Sequence, residues 1–531
     1  MAVLEIEAFR MLPWTVWPVL ALGLFLTTVG FSAAYNLFFH PLRHIPGPKL
    51  WACSQFPYTY YWVCGKLGFI VRDFHQVYGD TVRIAPNRVS FTHPDAWNQI
   101  RGHRKAGSGQ AENGKDPLIF DIIRPTSILG ADRDDHSRIR RTLANGFSAK
   151  AMQAQEGLIA GYVDLLFSKL KTLGPTNGGV VDLSAWLNFF AFDLIADLAF
   201  GESSYNCLAN GEYHPWVLAI LSAQQQFALL AAVVWHFGRK GFDVVKWASS
   251  WLSGSSRLAQ DQQTQYALAQ VRKRVEEGPD GNRDEKRKQS DRDKVIDFIG
   301  SMTMPSRSGQ REMSETEIAA NSRLLVMAGS ETVTTALGCA VYFLAIMPRV
   351  QKRLAEEIRG QFSREEDITM LSVNNLKYML AVLDESMRIM PPVPGNQPRV
   401  VGTKGGDTIC GWYLPEGTAL DIWTWAANHL ERNFTRAKDF IPERWLDVDE
   451  FEGVRFNKER HGASQPFSVG PRNCIGKNLA YVEMRMILAR LVWNFDLELS
   501  GEESKKFLDC KSYSTWVKRQ LHVKLTPVAR G

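Results

Sequence analysis

This 531-residue chain is short of several things that would define a function class. Its seven cysteines, at 53, 64, 207, 339, 410, 474 and 510, never stand as C-x-x-C. An odd, scattered set of that kind excludes a disulfide framework and a zinc ribbon. It fits a reducing compartment in which most cysteines are small buried hydrophobes. There is no internal repeat and no basic stripe interleaved with aromatics. A formal charge of +6 is modest for this length, so no nucleic-acid signature is present. No G-x-G-x-x-G run occurs, so the chain lacks a dinucleotide-binding fingerprint of its own. The rest of the composition, 45% hydrophobic and 22% charged, is that of a large globular core.

Charge is missing altogether between Arg10 and Arg43. Residues 11–32, which include MLPWTVWPVLALGLFLTTVGF, are apolar enough to span a bilayer as a helix, with Trp14, Trp17 and Tyr35 at the interfaces. No basic segment precedes the run, and it is too long for the apolar part of a cleaved leader. Glu5 and Glu7 stand upstream, while Arg43, His44 and Lys49 follow. That bias predicts a signal anchor with residues 1–10 lumenal and the body cytosolic. The sequon Asn433-Phe434-Thr435 would then stay unglycosylated.

Beyond the anchor, residues 33–50 form a proline-rich hinge that ends in HPLRHIPGPKL, and residues 51–531 read as one catalytic body. YGDTVRIAPNRVSF (78–91) predicts a hairpin, and residues 132–275 are mainly helical in period. The charged stretch 278–293 reads as a solvated loop. Ser314 and Glu317 have capping-box spacing ahead of a helix that is apolar on nearly every face and stops at Pro348. A second helix near 373–390 ends at Pro391-Pro392. Short strands fill 392–425, and a last long helix runs from just after Cys474 to about Asn494.

The stretch FSVGPRNCIG (467–476) carries chemistry. Cys474 sits where the free amides of a helix start, the helix dipole and nearby Arg472 favour a thiolate. Gly470 and Gly476 allow a tight turn and close approach to a flat ligand. A thiolate held there is an axial iron ligand or a nucleophile. The pattern F-x-x-G-x-R-x-C-x-G arises by chance about once in ten thousand chains of this composition. At every specified position it resembles the haem-binding loop of the cytochrome P-450 superfamily, the group whose haem iron is held by a cysteine. The resemblance implies that Cys474 is the proximal ligand of the metal, that Arg472 approaches a haem propionate and that Phe467 shields the sulfur.

Other motifs fall in the order this resemblance requires. AGSET (328–332) lies midway along the apolar helix, where a carboxylate is costly to bury. The family has A/G-G-x-D/E-T there. By that likeness Gly329 opens room for dioxygen, and Thr332 with Glu331 supplies protons in a site that excludes water. Glu385 and Arg388 are spaced i, i+3, and PERW (442–445) follows. In the family E-x-x-R and P-E-R-F/W form a structural triad, here Glu385, Arg388 and Arg444. His136 and Arg140 in HSRIRR, together with Arg399, would meet the propionates.

The likeness covers roughly residues 40–525. It implies a mainly α haem-thiolate monooxygenase fold with a small β-rich lobe, preceded by one transmembrane helix. The implied cofactor is haem b, and electrons would reach it from NADPH through a separate flavoprotein reductase, for which Arg138, Arg141 and Lys477 offer a basic docking face or are merely solvated. The implied setting is the endoplasmic reticulum membrane, with the catalytic domain cytosolic. The hinge looks like that of fungal microsomal members that tailor polyketides or terpenoids. Segments 107–131, 213–250, 326–335, 393–397 and 512–516 would shape a pocket for a lipophilic small molecule. Three other readings stay open. The same haem site could run desaturation, ring formation or peroxide rearrangement; the chain could be a non-enzymatic haem- or sterol-binding membrane protein; or it could be a cysteine hydrolase.

Overall fold

A computed structural model describes residues 16–104, 107, 109–123, 126–176, 178–201, 205–252, 265–274, 276, 297–304, 312–395 and 397–529. The charged stretch 278–293 and anchor residues 11–15 lie outside the described residues. Eight helices position everything that follows. They are α1 (Val16–Ala34), α2 (Arg133–Ala144), α3 (Leu183–Phe200), α4 (Pro215–Leu252), α5 (Glu315–Ile346), α6 (Pro348–Gln361), α7 (Lys377–Ile389) and α8 (Lys477–Asn494).

α5 is the central strut. Its capping box is complete: the Glu317 amide donates to Ser314 Oγ at 3.3 Å, and the Ser314 amide donates to Glu317 Oε2 at 2.8 Å. Pro348 stops it by opening α6 instead, where its missing N–H costs nothing. α5 packs most extensively on α3, which is capped by Asp182 and ends in the left-handed Gly201. At Gly329 the packing is tight: a Cβ there would stand 2.8 Å from Ile195 Cδ1. Helix packing thus gives Gly329 a reason of its own, beside the room for dioxygen that the resemblance implies. α7 and α8 complete the bundle on the other side of α5.

The β structure is small, as expected. Thr81–Ala85 and Arg88–Phe91 form the hairpin, which extends into a five-stranded sheet through Ala419–Ile422, Arg399–Val400 and Gly114–Lys115. Only the Arg88–Phe91 pairing with Ala419–Ile422 is parallel, with Phe91 opposite Ile422. A second sheet joins Val180–Asp182, within the region read as mainly helical, to Phe495–Leu499 and His522–Pro527.

Three described helices are long and apolar enough to cross a membrane. In α3 and α5 the apolar windows are 83% and 78% buried inside the protein, so they are core helices. The N-terminal span, Val16–Phe39, is 0% buried. At 1.5 Å per residue its helical length is about 36 Å, enough for a hydrocarbon layer of about 30 Å. The helix runs past residue 32, ending in a wider turn over Tyr35–Phe39. The proline segment that follows is docked on the body. Leu42 and Ile45 are buried against the hairpin sheet. The Arg83 amide donates to Pro46 O at 2.8 Å, and Arg83 Nη1 donates to Asn36 O at 2.9 Å.

Candidate active site

The Cys474 loop is shaped by its backbone. The Cys474 amide donates to Phe467 O at 2.9 Å, closing the turn. Ser468 and Gly470 take positive φ, 59° and 79°. A Cβ on Gly470 would lie 1.9 Å from Arg101 O, so only glycine fits. Gly476 has an ordinary φ of −87° and needs no such freedom. Its contribution is an amide that bonds to the sulfur. Phe467 packs its ring 5.1 Å from that of Tyr481, with Lys477 Nζ above it. Cys474 itself is exposed. Its accessible face notwithstanding, the protein atoms crowded round the loop desolvate the thiol and push it up, while the Gly476 amide, Arg140 and Lys477 pull the other way.

Around the loop lies an excess of positive charge. Arg472 Nε donates to Glu112 Oε1 at 2.9 Å, and its Nη1 to Ala131 O at 3.1 Å. Arg140 reaches back to the loop, donating to Asn473 O at 2.7 Å and Asn473 Oδ1 at 2.5 Å. Arg399 is buried, and its Nε and Nη1 meet no acceptor. Burial, Arg101 and Arg472 push its guanidinium well below the ordinary range. Lys115 and Arg101 join the cluster without any sequence motif to announce them. Lys115 is driven down to about 6 by burial and by Arg472 and Arg399. Burial lowers Arg101 to about 10. His136 falls to about 3 for the same reason, desolvation first and then Arg472, Lys115, Arg140 and Arg399.

Glu112 is the carboxylate that relieves this crowd, and it is not enough. Buried cations without counter-charge are expensive. A bound group carrying two carboxylates satisfies them, and haem, with its two propionates, is such a group. Arg399, Arg101, Lys115, His136 and Arg472 would hold the propionates, and Cys474 would hold the iron.

The distal side shows a complementary feature. Midway along the buried α5, Ala328 is exposed and Met327, Gly329 and Thr332 are half-buried, whereas Glu331 and residues 333–341 are buried. Exposure on one short face of a core helix marks an internal void. Thr332 lies on it, its Oγ1 donating to Ala328 O at 2.7 Å. Glu331 points elsewhere, with Lys518 Nζ 3.2 Å from its Oε2. α2 ties the two sides together: Arg140 holds the cysteine loop while Arg138 Nη2 bonds Glu317 of α5 at 2.5 Å. Arg138 is thus paired, with Glu317 and Asp135, while its side chain stays 32% exposed.

A family model for cytochrome P-450 matches residues 46–526. Trichothecene C-15 hydroxylase of Fusarium sporotrichioides is 41% identical over 520 residues, covering 97% of this chain and all of that protein. The cytochrome P-450 monooxygenase astJ of Aspergillus oryzae is 40% identical over 496 residues, 93% of each chain.

This chain belongs to the cytochrome P-450 family.

Versicolorin B desaturase of Aspergillus parasiticus, 37% identical over 500 residues, covers 93% of this chain and 94% of that protein. A P-450 is a haem-thiolate monooxygenase, and the loop, the cation cluster and the void on α5 are the parts such an enzyme needs. The Glu385, Arg388 and Arg444 side chains also meet. All three are 0% exposed, with Arg444 Nε donating to Glu385 Oε1 at 3.1 Å. Sequence reasoning missed Trp445, whose Nε1 donates to Glu385 Oε2 at 2.8 Å, and Glu459, which pairs with Arg444.

Proposed function

We propose that this P-450 oxidises a lipophilic small molecule of polyketide or terpenoid type in a secondary-metabolite pathway, by hydroxylation or epoxidation. The observation that carries the reading is the buried Arg399, two of whose donors meet no acceptor, set among Arg101, Lys115, His136 and Arg472 beside the Cys474 loop. The set is a cradle for a dianionic ligand next to a sulfur ligand. Bound there, haem supplies dioxygen activation. The chain's own residues do the rest. Cys474 ligates, the cations orient the macrocycle, and Phe467 and Lys477 cover the loop. Thr332 holds a proton donor at the void, with Glu331 as the next acid in line. Relatives named for hydroxylation of a trichothecene and for desaturation of versicolorin B support the pathway class. The second name keeps desaturation as an alternative outcome at the same site.

Without a dinucleotide fingerprint, the chain takes its electrons from an NADPH-dependent flavoprotein reductase. The Val16–Phe39 helix anchors it in the endoplasmic reticulum membrane, residues 1–10 lumenal and residues 51–531 cytosolic. The test is product analysis. Microsomes holding this chain and a reductase, given NADPH and candidate terpenoid or polyketide intermediates, should form a product one oxygen atom heavier, with the label arriving from ¹⁸O₂. Turnover without oxygen incorporation would favour desaturation, and no turnover of either class would overturn the substrate assignment.

A further inference from the structure

Glu331 has a partner that its motif does not contain. Lys518 follows the short Trp516–Val517 strand, and its side chain is 7% exposed against 3% for Glu331. Lys518 Nζ, 3.2 Å from Glu331 Oε2, also donates to Thr334 Oγ1 at 2.5 Å and to Asn188 Oδ1 at 3.1 Å. Asn188 Nδ2 donates in turn to Tyr213 Oη at 3.0 Å. Tyr213 is half-buried and stands just ahead of α4. Side chains from α3 and α5 thus converge on the Lys518 ammonium, with Tyr213 of the α4 entry behind Asn188.

Two features separate this pair from a scaffold ion pair. Both Glu331 oxygens are buried, yet neither accepts a hydrogen bond. The approach of Lys518 is by charge and not by an aligned N–H, so the carboxylate keeps its lone pairs free. Glu385 is the contrast, since its oxygens accept from Arg388, Arg444, Trp445 and the Ile441 amide. The second feature is position. Glu331 is buried, while Thr332, about 100° further round α5, is half-buried at the void.

We propose that Lys518 is the positioning residue for Glu331, holding its carboxylate at one place beside the Thr332 turn with both oxygens free of hydrogen bonds and open to a proton-carrying partner. The inference rests on the proposed role of Glu331 and Thr332 in oxygen activation. A buried carboxylate stripped of its counter-charge neutralises or finds another partner. A lysine supplies a point charge, whereas the fork of an arginine would occupy both oxygens. Asn188 and Tyr213 hold Lys518, and through it Glu331.

The experiment compares wild type, Lys518→Met, Glu331→Gln and the double variant as full-length protein with reductase. Thermal unfolding is read first. Lys518→Met should be destabilised more than the double variant, because only the single leaves a buried charge alone. Each variant should keep the thiolate carbon-monoxide spectrum and a substrate KM near wild type. Product per NADPH should fall about tenfold or more in Lys518→Met, matching Glu331→Gln, while NADPH oxidation continues. A merely structural lysine would lower folded enzyme and leave that ratio intact. If Lys518→Met gives no folded protein, Lys518→Arg decides: it keeps the positive charge but its fork takes up both Glu331 oxygens, so a ratio as low as that of Glu331→Gln upholds the proposal and a wild-type ratio overturns it. Normal coupling in Lys518→Met beside an impaired Glu331→Gln overturns the role of Lys518 alone. Normal coupling in Glu331→Gln overturns the oxygen-activation role on which it rests.

Discussion

Arg388 and Glu385, one helical turn apart on α7, meet in a two-point contact wholly out of solvent: Nε to Oε2 at 2.7 Å and Nη2 to Oε1 at 2.8 Å. The remaining Arg388 protons reach three carbonyls, of Asn428, Ala437 and Asp439. One guanidinium thus pins the segment that leads to Pro442–Trp445. Glu385→Ala or Arg388→Ala strands a buried charge, at about 3–5 kcal/mol. Little haem-loaded protein should be recovered from either, read by the yield of the carbon-monoxide spectrum. Normal yield and activity would show the network to be dispensable.

The same network sets an acid limit. Burial alone would raise the Glu385 carboxyl, but Arg388, Arg444 and the Ile441 amide outweigh it and hold it below the usual carboxylate range. A carboxyl depressed in the folded state stabilises above its unfolded value, about 4.3, and loses that contribution as pH falls through the folded one. Glu385→Gln cannot titrate. Its melting temperature should lie below wild type at neutral pH, and the gap should close as pH drops below about 4.3. A gap that stays constant with pH would contradict this.

Much of this was legible from the sequence because the signals are local. Ser314 with Glu317, Pro348, and the Phe467–Gly476 run each act within a few residues of themselves. The cation cluster was only half legible. Arg101 is held by Gln397 and Ser468 and crowded by Arg399, partners far away in the chain that no periodicity connects. Lys115, which donates to Ile128 O at 3.0 Å, is likewise bound to its place by the fold alone. Gly329 and Gly476 show the opposite case, since the motif suggests a ligand-facing reason and says nothing of their packing. In the fold one is explained by Ile195, and the other by no steric need at all.

Cys474→Ala should lose the red-shifted Soret band that thiolate ligation gives under carbon monoxide. The fold should survive, because the loop is closed by the Cys474 amide on Phe467 O and by Gly470 against Arg101, not by the sulfur. An unaltered thiolate spectrum would move the ligand elsewhere.

Arg399→Met makes the cradle a trade-off. Removing a buried cation that has two unmet donors should raise the melting temperature of haem-free protein. It should also weaken haem retention, since a propionate partner is gone. Measuring both on one variant separates ligand binding from folding. A fall in both would make Arg399 a structural residue.

Deleting residues 1–32 should release much of the protein from membranes and leave haem binding intact. The packed core does not draw on the deleted segment, since no residue of Val16–Ala34 is buried. Orientation needs a different probe. The Asn433 side chain is buried and donates to Thr92 O at 3.1 Å and Ala427 O at 2.9 Å, so an unmodified Asn433 in folded protein says nothing about which side it faces. Protease applied to sealed microsomes should digest the body. Protection would put it in the lumen.

Thr332 decides between oxygen activation and simple haem binding. Its hydroxyl donates to Ala328 O, a bond internal to the helix, so Thr332→Ala removes no contact with another element and improves helix propensity. The variant should therefore fold, load haem and bind substrate nearly as wild type does. What changes is the face of α5 that lines the void, which loses its one hydroxyl among Ala328, Gly329 and Thr332. If that hydroxyl positions a proton donor, its loss should drop product per NADPH by a large factor. Such proton transfer is worth about 10²–10⁴-fold, and the missing electrons should appear as hydrogen peroxide. The measurement counts product, NADPH and peroxide in one reaction. Full coupling in Thr332→Ala would remove this residue from the chemistry and leave proton delivery to another group on the void.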